Sequence, residues 1–312
     1  MTGLSAADHF SACPSESPYW NENCWFSLSV PKRRIHGIVH YFFRPNMNSL
    51  NGGPVLWDQS GLWQWNCLYY DWSHLQGIPQ GAQKYNVTAR NSLKVSVLEP
   101  LQRYKIDYDR DGFVMDMEWQ AAGPCHSLET GDADQAKTAA FHFEQPGRMK
   151  GTIHRNGEEN AIDCWSMRDG SSGPYDTEVW PKGGYFWGIG AGGSFNTLCI
   201  GGKRENATMG GFLLRDGQMA ALASGKRTVL EYGAFGPSRV AFEAVDTLGR
   251  AIKASGTIDP GLVHTGYTDH TIVWSLLEWQ VAGETWWGDN QEFYPSEYFR
   301  RLARGEVRLG GK

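Results

Sequence analysis

The 312-residue chain carries 29 Lys and Arg against 34 Asp and Glu, a net charge of −5, and so lacks the clustered basic surface that a nucleic-acid partner requires. No run of apolar residues approaches the length of a membrane-spanning helix, and six scattered cysteines without a CxxC pair or a Cys/His cluster argue for free thiols and no structural zinc. The length favours two domains, and 14 Trp, 13 Tyr and 14 Phe supply rings both for sheet cores and for pockets that accept flat, apolar ligands.

The N-terminal stretch MTGLSAADHFSACPSES has neither a basic n-region nor an apolar h-region. It does not read as a secretory leader, and the expectation is a cytoplasmic protein. From there turn signals recur about every ten residues, among them Asn51-Gly52-Gly53, Asp111-Gly112, Asn156-Gly157, Gly183-Gly184, Gly192-Gly193 and Asp216-Gly217. Between them lie β-rich runs at Arg34–Phe43, Leu93–Leu98, Phe113–Trp119, Tyr185–Ile189, Phe212–Arg215, Arg239–Ala244 and Thr271–Val281. This spacing is that of many short antiparallel strands. In FVMDMEW, Phe113, Met115, Met117 and Trp119 share one face and Asp116 and Glu118 the other.

Met149–Arg155 and Ala161–Met167 flank Asn156-Gly157, whose two residues tolerate the positive φ of a tight hairpin turn. The hairpin is expected to deliver Arg168 and Asp169 to a glycine-rich corner at one end of a sheet. The polar, aperiodic segment Ser127–Thr138 reads as a linker, which divides the chain into β-domains at 1–138 and 139–312. One helix is expected, over Ser296–Arg304, with Pro295 before it, Ser296 as its cap and Gly305 as its stop.

Several constellations bear chemistry. Asp169 is the first choice for a proton donor or acceptor; burial among rings would raise its pKa and neighbouring Arg168 would lower it. The densest aromatic stretch, Trp57–His74, sets Tyr70 and Trp72 around Asp71 and His74, so that rings could steady a cation while Asp71 or His74 served as acid or base. Tyr185–Gly193 has aromatic rings followed by glycines but no helix pattern after them, which argues for a strand with close backbone approach rather than a dinucleotide loop. His264 and His270 lack a third ligand at a zinc-like spacing. No G-x-S-x-G elbow is present, although Ser171, His142 and Asp169 remain unplaced hydrolase candidates.

His142, Glu144-Gln145, Gly147 and Gly151 form an H-x-E-Q-x-G-x-x-x-G pattern, followed by Arg168-Asp169-Gly170-Ser171-Ser172-Gly173-Pro174-Tyr175. The chain thereby resembles the AttH and carotenoid-hydratase (CrtC-like) group of tandem lipocalin-like proteins, which includes kievitone-hydratase-like proteins and fungal Diels-Alderases. The second element is similar to that group's Arg-Asp-(His/Arg)-Ser-Trp-Gly-Pro-Arg, with Gly170, Ser172 and Tyr175 as departures that remove a ring and a charge and reshape any pocket there. The resemblance implies two lipocalin-like antiparallel β-barrels in tandem with a hydrophobic cavity, and an apolar isoprenoid, polyene or aromatic substrate handled without a cofactor.

Together these readings give an all-β, cofactor-independent lyase or isomerase, a hydratase or dehydratase working by proton transfer on a hydrophobic terpenoid-like or aromatic molecule. Asp169 would transfer the proton and Arg168 would orient it, with Asp71 and His74 as further candidates. Tyr70, Trp72, Trp165, Tyr175, Trp187 and Glu278 would line the substrate. No metal and no nucleic acid are expected, and a homodimer is left open. The alternatives are a pericyclase, in which cavity shape alone acts, and a carrier of a hydrophobic metabolite.

Overall fold

The computed structural model describes residues 8–10, 16–127, 141–174, 182–200, 206–267 and 269–310. Two units emerge, residues 1–56 with 68–176 and residues 57–67 with 177–312, and each has its own core. The all-β expectation holds, and no helix among the described residues is long and apolar enough to cross a membrane.

The first unit contains β1 (Trp20–Val30), β2 (Ile35–Arg44), β3 (Ser49–Trp57), β4 (Tyr69–Tyr70), β5 (Ser73–Gly77) and β6 (Val87–Thr88). It continues with β7 (Lys94–Glu99), β8 (Arg103–Arg110), β9 (Phe113–Ala121), β10 (His126–Ser127), β11 (Phe141–Arg155) and β12 (Glu158–Pro174). These make one 12-stranded sheet in the order β4-β3-β2-β1-β12-β11-β9-β8-β7-β6, with β5 on β3 and β10 on β11. The sheet curls about a core of Phe26, Tyr41, Tyr85, Tyr104, Met117 and Trp119. As the alternation in FVMDMEW requires, Phe113, Met115, Met117 and Trp119 all face inward. Side chains draw the two ends of the sheet together: Asn91 Nδ2 donates to the Gly52 carbonyl at 3.0 Å, and the Tyr69 ring stacks on Phe113 at 4.0 Å.

The Asn156-Gly157 hairpin forms, with φ of 51° and 84° at its two turn residues. It is much longer than the sequence runs imply, because the stretch from Arg168 to Pro174 is not a corner. That stretch remains extended, pairing with β1 on one side and β11 on the other. Its glycine serves packing: a Cβ on Gly170 would lie 2.6 Å from the Phe143 ring and 2.7 Å from the Tyr85 hydroxyl. The same ladders carry the first unit past the expected boundary at 138 to Asp176, since β11 lies between β9 and β12. His142–Gly151 thus belongs to the first unit rather than opening the second.

The second unit contains β13 (Gly183–Gly190), β14 (Gly193–Ile200), β15 (Thr208–Arg215), β16 (Gln218–Tyr232) and β17 (Pro237–Asp246). After these come β18 (Ala251–Ile258), β19 (Leu262–His264), β20 (His270–Val281), β21 (Glu284–Pro295) and α1 (Ser296–Ala303). The order β18-β17-β16-β15-β14-β13-β21-β20 returns on itself through the β18–β20 ladder, so eight strands close a barrel and no edge is left on that ring. Phe186, Phe195, Phe242 and Trp279 fill it. Gly188 and Gly190 admit the rings of Trp279, Phe195 and Trp286, where a Cβ would come within 3 Å. In α1 Pro295 occupies the cap position and Ser296 is the first helical residue without capping by its side chain; Gly305, at φ 73°, follows the last turn.

Candidate functional site

Successive residues of a strand point to opposite faces, and this separates the two residues expected to act together. Arg168 points into the first core. Its guanidinium lies 4.3 Å from the Tyr104 ring, 4.7 Å from Tyr85, 4.8 Å from Phe143 and 5.5 Å from Trp119. Arg168 Nη1 pairs with Asp8 Oδ1 at 2.9 Å, and Nη2 donates to Gln145 Oε1 at 2.8 Å. The expected Arg168–Asp169 partnership therefore gives way to an internal ion pair with Asp8, in a box of rings.

Asp169 lies on the other face, buried at 8% exposure. Register places it opposite Trp25 on β1 and Glu144 on β11, while Trp25 stands opposite His40 on β2. Asn23, one step along β1 on the same face, joins the row diagonally. Its Nδ2 donates to Asp169 Oδ1 at 3.1 Å, and its Oδ1 accepts from His40 Nε2–H. An amide has one donor end and one acceptor end, so this chain assigns the imidazole proton to Nε2 and leaves Nδ1 as the basic nitrogen. Burial holds the His40 pKa down from the ordinary 6.5 to about 3, so the ring is neutral at physiological pH.

Aromatic groups frame His40: Trp72 meets it edge-on at 5.1 Å, Phe42 lies at 6.0 Å, and Tyr70 lies 6.4 Å beyond Trp72. Trp25, 2% exposed, keeps its indole N–H buried without a hydrogen bond inside the protein. On the β11 side Glu144 is fully buried and its Oε1 meets His142 Nε2 at 2.8 Å. Burial lowers the His142 pKa, opposed by the Asp169 charge. At neutral pH the His142 ring in this contact is thus neutral. One face of the first sheet accordingly carries two carboxyl groups, Asp169 and Glu144, and two neutral imidazoles, with rings around them.

The other expected residues fall into three groups. Trp72 and, behind it, Tyr70 lie beside the Asp169–Asn23–His40 chain. Asp71 faces elsewhere: it accepts from Tyr108 Oη at 2.7 Å, Asn91 Nδ2 at 2.8 Å and the Ser73 N–H at 3.0 Å, which ties the β4–β5 turn to β8. His74 is exposed on β5. Trp165 is half-buried under the Arg148 guanidinium at 5.1 Å. Trp187, on β13, and Glu278, on β20, belong to the second unit, the former buried and the latter half-buried. Tyr175 lies outside the described residues. Asn23, Trp25, His40 and Glu144 were not singled out as site residues from the sequence. Their signal was parity: Asn21, Asn23 and Trp25 fall on one face of β1, and His36, His40 and Phe42 on one face of β2.

A curled sheet and a closed barrel, one bearing a buried His–Asn–Asp chain on the face away from its core, define an all-β protein of lipocalin-like build. The chain belongs to the family described as domain of unknown function DUF7064, which matches residues 5–290. No curated protein sequence matches it. Among solved structures it is similar to a protein assigned as AttH from Nitrosomonas europaea, with a TM-score of 0.58 and 14% identity over 88% of this chain and 92% of that one. It is likewise similar to kievitone hydratase from Nectria haematococca, with a TM-score of 0.55 and 12% identity over 95% and 96% of the two chains. A third likeness is to CghA crystallised with Sch210972, with a TM-score of 0.53 and 11% identity over 91% and 94%. At these identities the likeness is one of fold, and it is the fold that the sequence resemblance implied.

Proposed function

We propose that the protein is an enzyme of hydratase or dehydratase type, acting by proton transfer on an apolar terpenoid-like or aromatic small molecule. The observation that carries this reading is the Asn23 amide, which holds the Asp169 carboxyl and the neutral His40 ring in one buried row. Adding water to an alkene, or removing it from an alcohol, needs one group to exchange a proton at carbon and another to exchange one with water or hydroxyl. Asp169 serves the first and His40 Nδ1 the second. Asn23 moves no proton; it fixes both rotamers and keeps Asp169 Oδ1 an acceptor. Trp25, Trp72 and Phe42 present ring faces and edges that tolerate a cationic carbon while keeping bulk water away. Fold likeness to a protein named as a hydratase, and to one crystallised with a small molecule, supports the reading.

The test begins with mass spectrometry of apolar compounds that copurify with the protein, followed by their incubation in deuterated water. Deuterium at carbon is expected with the wild-type protein. Asp169→Asn, which keeps the shape of the side chain, is expected to slow that exchange by about 10²- to 10⁴-fold, the usual worth of a general acid or base. A normally folded Asp169→Asn protein with full turnover sinks the proposal. Turnover without deuterium uptake would mark a pericyclase, and a ligand returned unchanged a carrier.

A further inference from the structure

The outer face of the first sheet does not end at His40. Side chains alternate along β2, so Phe42 and Arg44 continue the face that His40 occupies, and the contacts follow. The Phe42 ring lies 6.0 Å from the His40 ring and 6.2 Å from that of Trp72, and the Arg44 guanidinium folds back to within 5.7 Å of the Phe42 ring. The same guanidinium lies 5.8 Å from the ring of Tyr19. Two contacts thus lead from His40 to a positive charge. One step beyond Glu22 and Phe43, the last pair between β1 and β2, Asn21 reaches the same end of this face.

Arg44 is half-buried, and among the described residues its side chain makes ring contacts but no ion pair and no hydrogen bond. The carboxyl groups nearest in the register are engaged elsewhere: Glu22 turns to the inner face and pairs with Lys84 at 3.2 Å, and Asp169 accepts from Asn23. A guanidinium has five N–H donors and no acceptor, and cation–π attraction to rings uses none of them. Asn21 is 3% exposed and its Oδ1 has no partner. No hydrogen bond fixes that amide, so it is able to turn and offer its Nδ2 hydrogens to an acceptor held by Arg44.

The surroundings select the kind of acceptor. β1, β2 and β12 contain one other basic residue, Arg168, and it points into the core. Lys84 is likewise on the inner side, donating to Glu22 Oε2, the Ser171 carbonyl and Ser172 Oγ. A single cation offsets the single charge of a carboxylate but leaves a phosphate monoester, at close to two charges, only half compensated. The planar guanidinium fork also matches the two oxygens of a carboxylate. Phe42 and Trp72, between Arg44 and His40, suit an apolar body.

We propose that Arg44, with Asn21 beside it, binds the carboxylate of an apolar acid whose other end reaches His40 and Asp169. The assignment rests on the reading of the protein as one that acts on apolar small molecules, and it narrows that class to acids. Its test is one of binding and stands apart from proton transfer at Asp169. The full chain is titrated by calorimetry at low salt with 4-(2-naphthyl)butanoate, with the corresponding primary amide, which keeps the shape without the charge, and with 3-(2-naphthyl)propyl phosphate.

The carboxylate is expected to bind about tenfold more tightly than the amide, a difference of about 1.4 kcal/mol, and more tightly than the phosphate, with the preference over the amide shrinking as salt is raised. Arg44→Gln is expected to bind carboxylate and amide equally, with the amide affinity of the wild type showing that the fold is intact. Arg44→Lys, which keeps the charge but not the planar fork, should retain part of the preference. The proposal is overturned if the amide or the phosphate binds the wild-type protein as tightly as the carboxylate, or if the carboxylate does not bind up to its solubility. A preference for the carboxylate that survives in Arg44→Gln overturns it equally. An Asp169→Asn protein that has lost turnover but still prefers the carboxylate supports both readings. Full turnover in that variant removes the first and leaves the carboxylate site standing.

Discussion

Asn23 does at the residue scale what neither of its partners can do alone. Asp169 and His40 are on strands that flank β1, and the amide between them converts neighbours into a fixed pair. The cost of that arrangement is a histidine held neutral in a dry place, and it has a signature in pH. The folded-state pKa of His40 lies below its unfolded value, so between about 6.5 and about 3 the unfolded chain binds the extra proton. Stability associated with His40 is thus complete above its unfolded pKa and is lost as pH falls through that window. The slope at its steepest is about 1.4 kcal/mol per pH unit. Urea unfolding midpoints measured from pH 7 down to pH 4 should fall less steeply in His40→Gln than in the wild type. Parallel acid limbs would show that His40 is not buried as a neutral ring.

At the scale of the element, β12 explains why a two-residue motif read from sequence divides into two roles. Adjacent residues in a strand that is paired on both sides cannot share a face. Arg168 therefore goes to the core and Asp169 to the outer row. The sequence made the hairpin legible, because Asn156-Gly157 between β-rich runs has a local cause. It could not reveal that the chain after Asp169 stays extended, since the role of Gly170 there depends on Phe143 and Tyr85, which arrive from elsewhere in the chain. Nor could it pair Asn23 with Asp169, which are 146 residues apart. The division of roles has a measurable consequence. Arg168→Met leaves Asp8 near Tyr104 without its counter-charge, and breaking a buried pair of this kind costs about 3–5 kcal/mol. Urea unfolding should register that loss, while Asp169→Asn should change stability far less. If Arg168→Met kept its stability and lost only turnover, the arginine would regain the role that its place in the sequence first implied.

For the whole molecule, the informative departure is the position of the first unit's end. Ser127–Thr138 has the composition of a linker, and composition is a sound guide to solvation, but not to which strands a segment joins. Here the strands on either side of it, β10 and β11, pair with each other, and the chain goes on to build β12 before leaving the sheet. β11 and β12 are the longest strands of the first sheet, at 15 and 17 residues. They fill the centre of its strand order, so a chain ending at residue 138 would keep β1 and β9 with no strand between them. It would also lose Arg168, Phe143 and Met149 from the core, leaving Asp8 and Trp119 with empty flanks. Two unpaired interior edges and a breached core are conditions under which a β-sheet aggregates rather than folds. A fragment of residues 1–138 should therefore show no cooperative urea transition and no dispersed amide spectrum. A chain cut after residue 176 retains every strand of the first sheet and is the proper comparison. A cooperative transition in the shorter fragment would mean that the first core closes without the β11–β12 hairpin, and the placement of Asp169 as an integral member of that unit would fall with it.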